Sequence, residues 1–127
     1  MAAQFPSDDL NAVADLAWQV YKSLKAAPDS FEKVHLEVLS LNAVLKEALE
    51  AVPLSPIQLS QRDRLQKILD GCTGVLKDLQ TLVDKYDNMG ANSRMSWDRW
   101  RWGQQSATEL RTKLVSYTKM LTEFLRR

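Results

Sequence analysis

One cysteine and one histidine in 127 residues leave this chain little of the equipment that protein chemistry usually requires. Cys72 alone excludes an internal disulfide and suits a reducing compartment. His35 has no second histidine with which to build an HExxH pair or a two-histidine metal site. Charge of one sign is also missing: seventeen basic residues against sixteen acidic give a formal charge of +1, so no global field draws the chain to nucleic acid. No apolar run approaches the roughly 20 residues needed to span a bilayer. The opening MAAQFPSDDLNAV lacks a basic region followed by an apolar one, so it does not read as a secretory signal, and the expected address is cytoplasmic. GCTGVLK, residues 71–77, lacks the GK[ST] ending of a phosphate loop and follows no strand pattern. The carboxylates are scattered along solvated faces without a paired acid and base. These absences argue against an enzyme: the expectation is no catalytic residue, no cofactor, no metal and no small-molecule substrate.

What the chain has is helical periodicity. Its length suits a single domain able to bury roughly 65–70% of its unfolded surface, and 45% hydrophobic with 26% charged residues is ordinary for a globular protein. Residues 1–6 read as an arm. Ser7, with Asp8 and Asp9 after it, can cap a first helix, whose stripe is Leu10, Val13, Ala17, Val20 and Leu24, flanked by Ala14, Trp18 and Tyr21. Lys22 and Lys25 suit its end, and Pro28 stops it. Asp29 and Glu32 have the spacing of a capping box for a second helix. That helix is the centre of the pattern. Phe31, Val34, Val38, Leu41, Leu45, Ala48 and Val52 form one apolar stripe, and Leu36, Leu39, Ala43 and Leu49 form a second flank. Such a helix is expected to be covered from more than one side.

Pro53 and Pro56 end it. A third helix follows, capped either at Ser55 or at Ser60 with Asp63, carrying Leu65, Ile68, Cys72, Val75, Leu79, Leu82 and Tyr86 on its stripe. Its internal Gly71 and Gly74 each cost about 0.8–1 kcal/mol against alanine, so they require a packing reason or mark a kink. The last helix begins near Ser93 or Ser96, with Trp100, Gly103, Ala107, Leu110, Leu114, Tyr117, Leu121 and Phe124 in line. Asp63–Lys67 and Glu109–Lys113 are spaced as i, i+4 ion pairs. The sequence therefore predicts an all-α domain over residues 1–127, an up-and-down four-helix bundle of long antiparallel helices at about 7–27, 30–52, 57–88 and 94–126, with left-handed packing. Cys72 falls on a core stripe, where a thiol acts as a small hydrophobe, and His35 lies at the bundle boundary.

The unusual segment is SWDRWRWG, residues 96–103. Three tryptophans and two arginines so close together fit a nucleic-acid stacking platform, a membrane-interface belt or a structural cluster. Trp100 is in register with the core stripe and Trp97 on its flank. Trp102 points roughly 200° from Trp100 at about 100° per residue, hence outward. Arg94, Arg99 and Arg101 make a local positive patch. The candidate interaction residues are Trp102, Arg99, Arg101, Trp97 and Trp18.

The runs SDDLNAVADLAWQVYKSLKAAPDSFEKVHLEVLSLNAVLKE and LQKILDGCTGVLKDLQTLVDKY, followed by SWDRWRWG, resemble the fungal N-terminal domain of STAND proteins, which is grouped with the HeLo-like domains. The likeness runs from Ser7 to about Phe124. The resemblance implies a helical domain at the front of a larger NLR-like receptor, acting as its effector or signal-transfer end in immunity, incompatibility or programmed cell death. It implies protein partners or self-association, with peripheral membrane contact as a further option and no nucleic acid. HeLo-type relatives drive their first helix into a membrane. Here Asp8, Asp9, Asp15, Lys22 and Lys25 interrupt that helix, so signalling through helix–helix contacts leads and a membrane-targeting effector is the alternative.

Overall fold

The computed structural model describes residues 2–3, 7–26, 31–51, 57–88 and 93–126, with side chains described at 9–25, 31, 33–51, 60–85 and 105–126. Four helices, α1 (Ser7–Ala26), α2 (Glu32–Ala51), α3 (Leu59–Asn88) and α4 (Ser93–Leu125), build an all-α bundle. A two-residue antiparallel pairing accompanies them, β1 (Ala2–Ala3) against β2 (Ile57–Gln58), with Ala2 opposite Gln58 and Ala3 opposite Ile57. The second helix starts at Glu32, with Phe31 in 3₁₀ conformation immediately before it.

Each helix buries the stripe that its periodicity marks. In α1 Leu10, Val13, Ala17, Val20 and Leu24 are buried, and in α2 the same holds for Val34, Val38, Leu41, Leu45 and Ala48, with Phe31 just ahead of them. In α3 the buried face is wider than one stripe: Leu69, Leu76 and Val83 join Leu65, Ile68, Cys72, Val75, Leu79 and Leu82. In α4 Ala107, Leu114, Leu121 and Phe124 are buried, with Leu110 and Tyr117 packed at the margin. Val52 lies outside the described residues, and the side chains of Tyr86, Trp100 and Gly103 outside the described side chains.

Packing partners fix the arrangement. Helix α1 lies against α2 and α3, and α4 also lies against α2 and α3. The ring order is therefore α1–α2–α4–α3, with α2 and α3 across one diagonal although they are consecutive in the chain. Tyr21 meets His35 and Asn42 meets Ala14, so α1 and α2 run antiparallel. Gly71 faces Tyr117, and Leu82 shares a cleft with Ser106 and Leu110, so α3 and α4 do the same. The β1–β2 pairing sets the starts of α1 and α3 side by side.

Helix lengths then locate an overhang. Twenty residues in α1 and in α2 span about 30 Å each, whereas the 30 and 33 residues of α3 and α4 span about 45 and 50 Å at 1.5 Å per residue. Arg111 of α4 pairs with Glu37 near the start of α2. Since α2 and α4 run in the same direction, α4 residues 93–105 extend past the start of α2. The backbone of SWDRWRWG belongs to this extension.

The two glycines of α3 have different explanations. A Cβ built at Gly71 would overlap the ring of Tyr117, so α4 seats that ring where a side chain would otherwise stand. Gly74 has nothing within 4 Å of such an added atom. The packing reason that the GCTG segment calls for thus applies to Gly71 alone.

The expected cover of α2 from more than one side is present, from α1 and α4, but it does not reach every apolar position. The second apolar flank of α2 is not covered: Leu36 is 53% exposed, Leu39 36% exposed, and Ala43 is exposed too. Only Leu49 of that flank is half-buried. The cause is the ring order. Helix α2 touches α1 on one side and α4 on the other, and α3 stands diagonally behind its core stripe, which leaves the outer arc without a neighbour. Asp63–Lys67 and Glu109–Lys113 also close no ion pair; among the described residues the ion pair formed is Arg111–Glu37, between helices.

Candidate interaction face on α1 and α2

The groove between α1 and α2 sets the geometry of the candidate site. Asn42 is 3% exposed, the one polar side chain buried among the described residues. Its Nδ2 donates to the carbonyl oxygen of Ala14 at 2.9 Å. A buried amide left without such a partner would cost about 1–3 kcal/mol, so this bond pins the α1–α2 register. Beside it opens a cleft of about 180 Å³ lined by Asn11, Asp15, Trp18, Asn42, Lys46 and Leu49, among others. That is below the roughly 300 Å³ at which small-molecule sites begin, and room for one side chain of a partner.

Trp18, 42% exposed, forms the wall of this cleft. Its ring stacks on Tyr21 with centroids 5.2 Å apart, and Tyr21 in turn meets His35 at 5.8 Å. Two ammonium groups sit over these rings, Lys46 Nζ 5.7 Å from the Trp18 centroid and Lys25 Nζ 6.0 Å from that of Tyr21. Cation–π contacts at such exposed positions contribute about 0.5–1 kcal/mol each. They hold the rings in place without hiding them. His35 thus lies at the bundle boundary, as its position beside the stripe suggests, and in an aromatic row.

The outer arc of α2 carries further exposed apolar side chains. Ala14 opposite Asn42 and Tyr21 opposite His35 put Trp18 level with Val38, one residue before Leu39. Leu39, Ala43 and Leu36 then follow one another round the outer arc at i, i+3 and i+4 steps. Ser40 lies among them, its hydroxyl donating to the carbonyl oxygen of Leu36 at 3.1 Å. That bond satisfies the hydroxyl within its own helix and leaves a small, nearly apolar surface. Periodicity identified this flank as apolar, but its exposure depends on which helices surround α2, and no local pattern carries that information.

Of the candidate residues read from the sequence, Trp18 belongs to this face. Trp97, Arg99, Arg101 and Trp102 fall on the backbone of α4, and their side chains lie outside those described, as does that of Trp100. Trp18 and the tryptophan segment belong to different helices. Glu37 and Arg111, which the sequence did not single out, tie α2 to α4 at 3.4 Å. With the two side chains 26% and 43% exposed, that pair contributes less than about 1 kcal/mol.

Elsewhere the clefts are shallow. One of about 410 Å³ is lined by Arg64, Lys67, Ile68, Tyr117 and Met120, and another of about 360 Å³ lies between α2 and α4 around Glu37, Val115 and Thr122. Among the described residues no three His, Cys, Asp or Glu side chains stand close enough to hold a metal ion. Burial pushes the Cys72 thiol up to about 12, the desolvation of the thiolate outweighing a backbone hydrogen bond that acts the other way. No described helix is long and apolar enough to cross a membrane. Set against protein-family models, curated proteins and solved structures, the chain matches none of them.

Proposed function

We propose that this chain is a non-enzymatic signalling or effector domain that acts through helix–helix contacts, by self-association or by binding a protein partner. The observation that carries the reading is the uncovered outer surface of α1 and α2, where Trp18 on α1 and Leu36 and Leu39, one turn apart on α2, are exposed. Single exposed apolar residues are ordinary, but a contiguous group of them marks a contact surface. Aromatic side chains with a fixed orientation are the usual anchors of such surfaces, and Trp18 is held by Tyr21 and Lys46.

The resemblance to the N-terminal domain of fungal STAND proteins supports the same reading and adds its setting. The domain would serve an NLR-like receptor in immunity, incompatibility or cell-death signalling, in the cytoplasm, and an attached oligomerising module would raise weak contacts to effective ones by multivalency. A second reading, a membrane-targeting effector of HeLo type, draws on Trp18 and Tyr21 beside Lys25 and Lys46, a composition suited to a membrane interface. Liposome cosedimentation separates the two: anionic vesicles should leave the protein in the supernatant. For the leading reading, Leu36→Asp/Leu39→Asp should remain folded and lose association in sedimentation velocity. A folded double variant that associates like wild type would remove the face from the function.

A further inference from the structure

The cleft between the first half of α3 and the second half of α4 carries charge of a single sign. It measures about 410 Å³ and is lined by Arg64, Lys67, Ile68, Tyr117 and Met120. Arg64 and Lys67 stand one turn apart on α3, both exposed, and among the described residues neither makes an ion pair. Lys67 has Asp63 and Asp70 at helix-neighbour spacing and pairs with neither; Asp70 instead accepts from Gln66 Nε2 at 2.9 Å. No described carboxylate lines this cleft. The other described clefts mix signs. Glu37 and Glu123 stand with Lys119 and Arg126 between α2 and α4, and Asp15 with Lys46 beside Trp18.

The rest of the lining is apolar and held in place. Ile68 is buried, and the half-buried Tyr117 ring is seated over Gly71, where α3 offers no Cβ to displace it. Met120 is 42% exposed, an adaptable thioether beside an aromatic wall. We propose that this cleft binds a small organic anion, a carboxylate carried on a flat aromatic body. The Arg64 guanidinium offers the carboxylate a two-pronged hydrogen bond and Lys67 a second cation. The body lies against the Tyr117 ring and Met120, where an offset stack on a fixed ring is favourable. The volume lies within the roughly 300–1,000 Å³ of small-molecule clefts, unlike the smaller cleft beside Trp18. A ligand here touches α3 and α4 together, so binding stabilises the folded bundle. It leaves the outer surface of α1 and α2 free, and the proposal stands or falls independently of that surface.

Titration with 2-naphthoate, followed by ¹H–¹⁵N spectra at low salt, tests the site. The amides of Ile68, Gly71 and Tyr117 should shift saturably at submillimolar ligand. Two controls separate the halves of the ligand: 2-naphthylmethanol, the neutral counterpart of the same shape, should bind about tenfold more weakly, and acetate, the anion without the body, should not saturate. Arg64→Gln/Lys67→Gln alters two exposed positions and should weaken 2-naphthoate about tenfold or more while melting with wild type. Met120→Glu, also at an exposed position, sets a carboxylate in the cleft and should weaken it comparably; it decides the matter if the double variant melts early. Lys119→Gln, outside this cleft, should bind as wild type does. Naphthoate that leaves these amides unmoved overturns the proposal. So do equal affinities for the acid and the alcohol, or full affinity in Met120→Glu or in a folded double variant.

Discussion

Gly71 and Gly74 lie three residues apart in one helix, and their replacement by alanine should act in opposite directions. At Gly74 an added methyl meets open space, so only the backbone changes. The gain in an exposed helix interior is about 0.8–1 kcal/mol, which for a bundle of this size raises Tm by about 3–4 °C, given an unfolding entropy of about 2.1 cal/mol/K per residue. At Gly71 the same backbone gain is opposed by Tyr117, whose ring carbons and hydroxyl occupy the place of the new methyl. Tyr117 is only half-buried and would swing outward, forfeiting its packing on α3. Crowding of this kind costs about 1–3 kcal/mol, so Gly71→Ala should destabilise by roughly 0–2 kcal/mol after the propensity gain. Thermal melts followed by far-UV circular dichroism give both numbers. Tyr117→Ala completes the test: in that background Gly71→Ala should become stabilising, by about as much as Gly74→Ala. Two alanines that stabilise wild type equally would refute the seating of Tyr117 on Gly71, and with it the α3–α4 contact described above.

Leu41→Ala and Leu45→Ala remove side chains with no exposed surface and should each cost about 2–5 kcal/mol in urea unfolding; a variant melting with wild type would displace α2 from the centre of the core. Cys72 should react slowly with a thiol reagent in the folded protein and rapidly after unfolding, because the thiolate is the reactive form. Its raised pKa also makes a prediction with a definite sign. Between the ordinary thiol value of 9.0 and about 12 the unfolded chain loses the thiol proton while the folded chain keeps it, so stability falls as pH rises through this window. Cys72→Ala should therefore show a shallower loss of stability above pH ~9 than wild type, and parallel pH profiles would place the thiol in solvent.

The stripes that the sequence marks are buried where their side chains are described, with Leu110 and Tyr117 half-buried at the margin, because a period near 3.6 over five or more turns has one physical solution, a helix with its apolar face inward. The ends of α1 at Ala26 and of α2 at Ala51 fall two residues ahead of a proline, for a reason equally local. What local patterns do not contain is the ring order. The sequence predicts that α2 is covered from more than one side, and it is, by α1 and α4. Yet the flank of Leu36, Leu39 and Ala43 falls outside both contacts, since α3 takes the diagonal place. Asn42 shows the same limit from the other side. As an amide between apolar neighbours it reads as a surface residue, and only the carbonyl of Ala14, on another helix, accounts for its burial. The i, i+4 ion pairs marked on α3 and α4 do not form, while Glu37 and Arg111, 74 positions apart, do meet. The candidate face was legible as composition, through Trp18 and the leucines of α2, and became a site only when the packing left it uncovered.

That this face is the working surface can be tested residue by residue with a concentration series of ¹H–¹⁵N spectra on the wild-type chain. As protein is raised from micromolar to millimolar, shifts and line broadening should concentrate on the Trp18 indole and on the amides of Lys33, Leu36, Leu39, Ser40, Ala43 and Glu47, while the α3 amides around Asp70 and Asp78 stay still. Spectra that do not change with concentration would remove self-association and leave a protein partner as the contact, and changes that cluster on α3 or on the α4 extension would contradict the account.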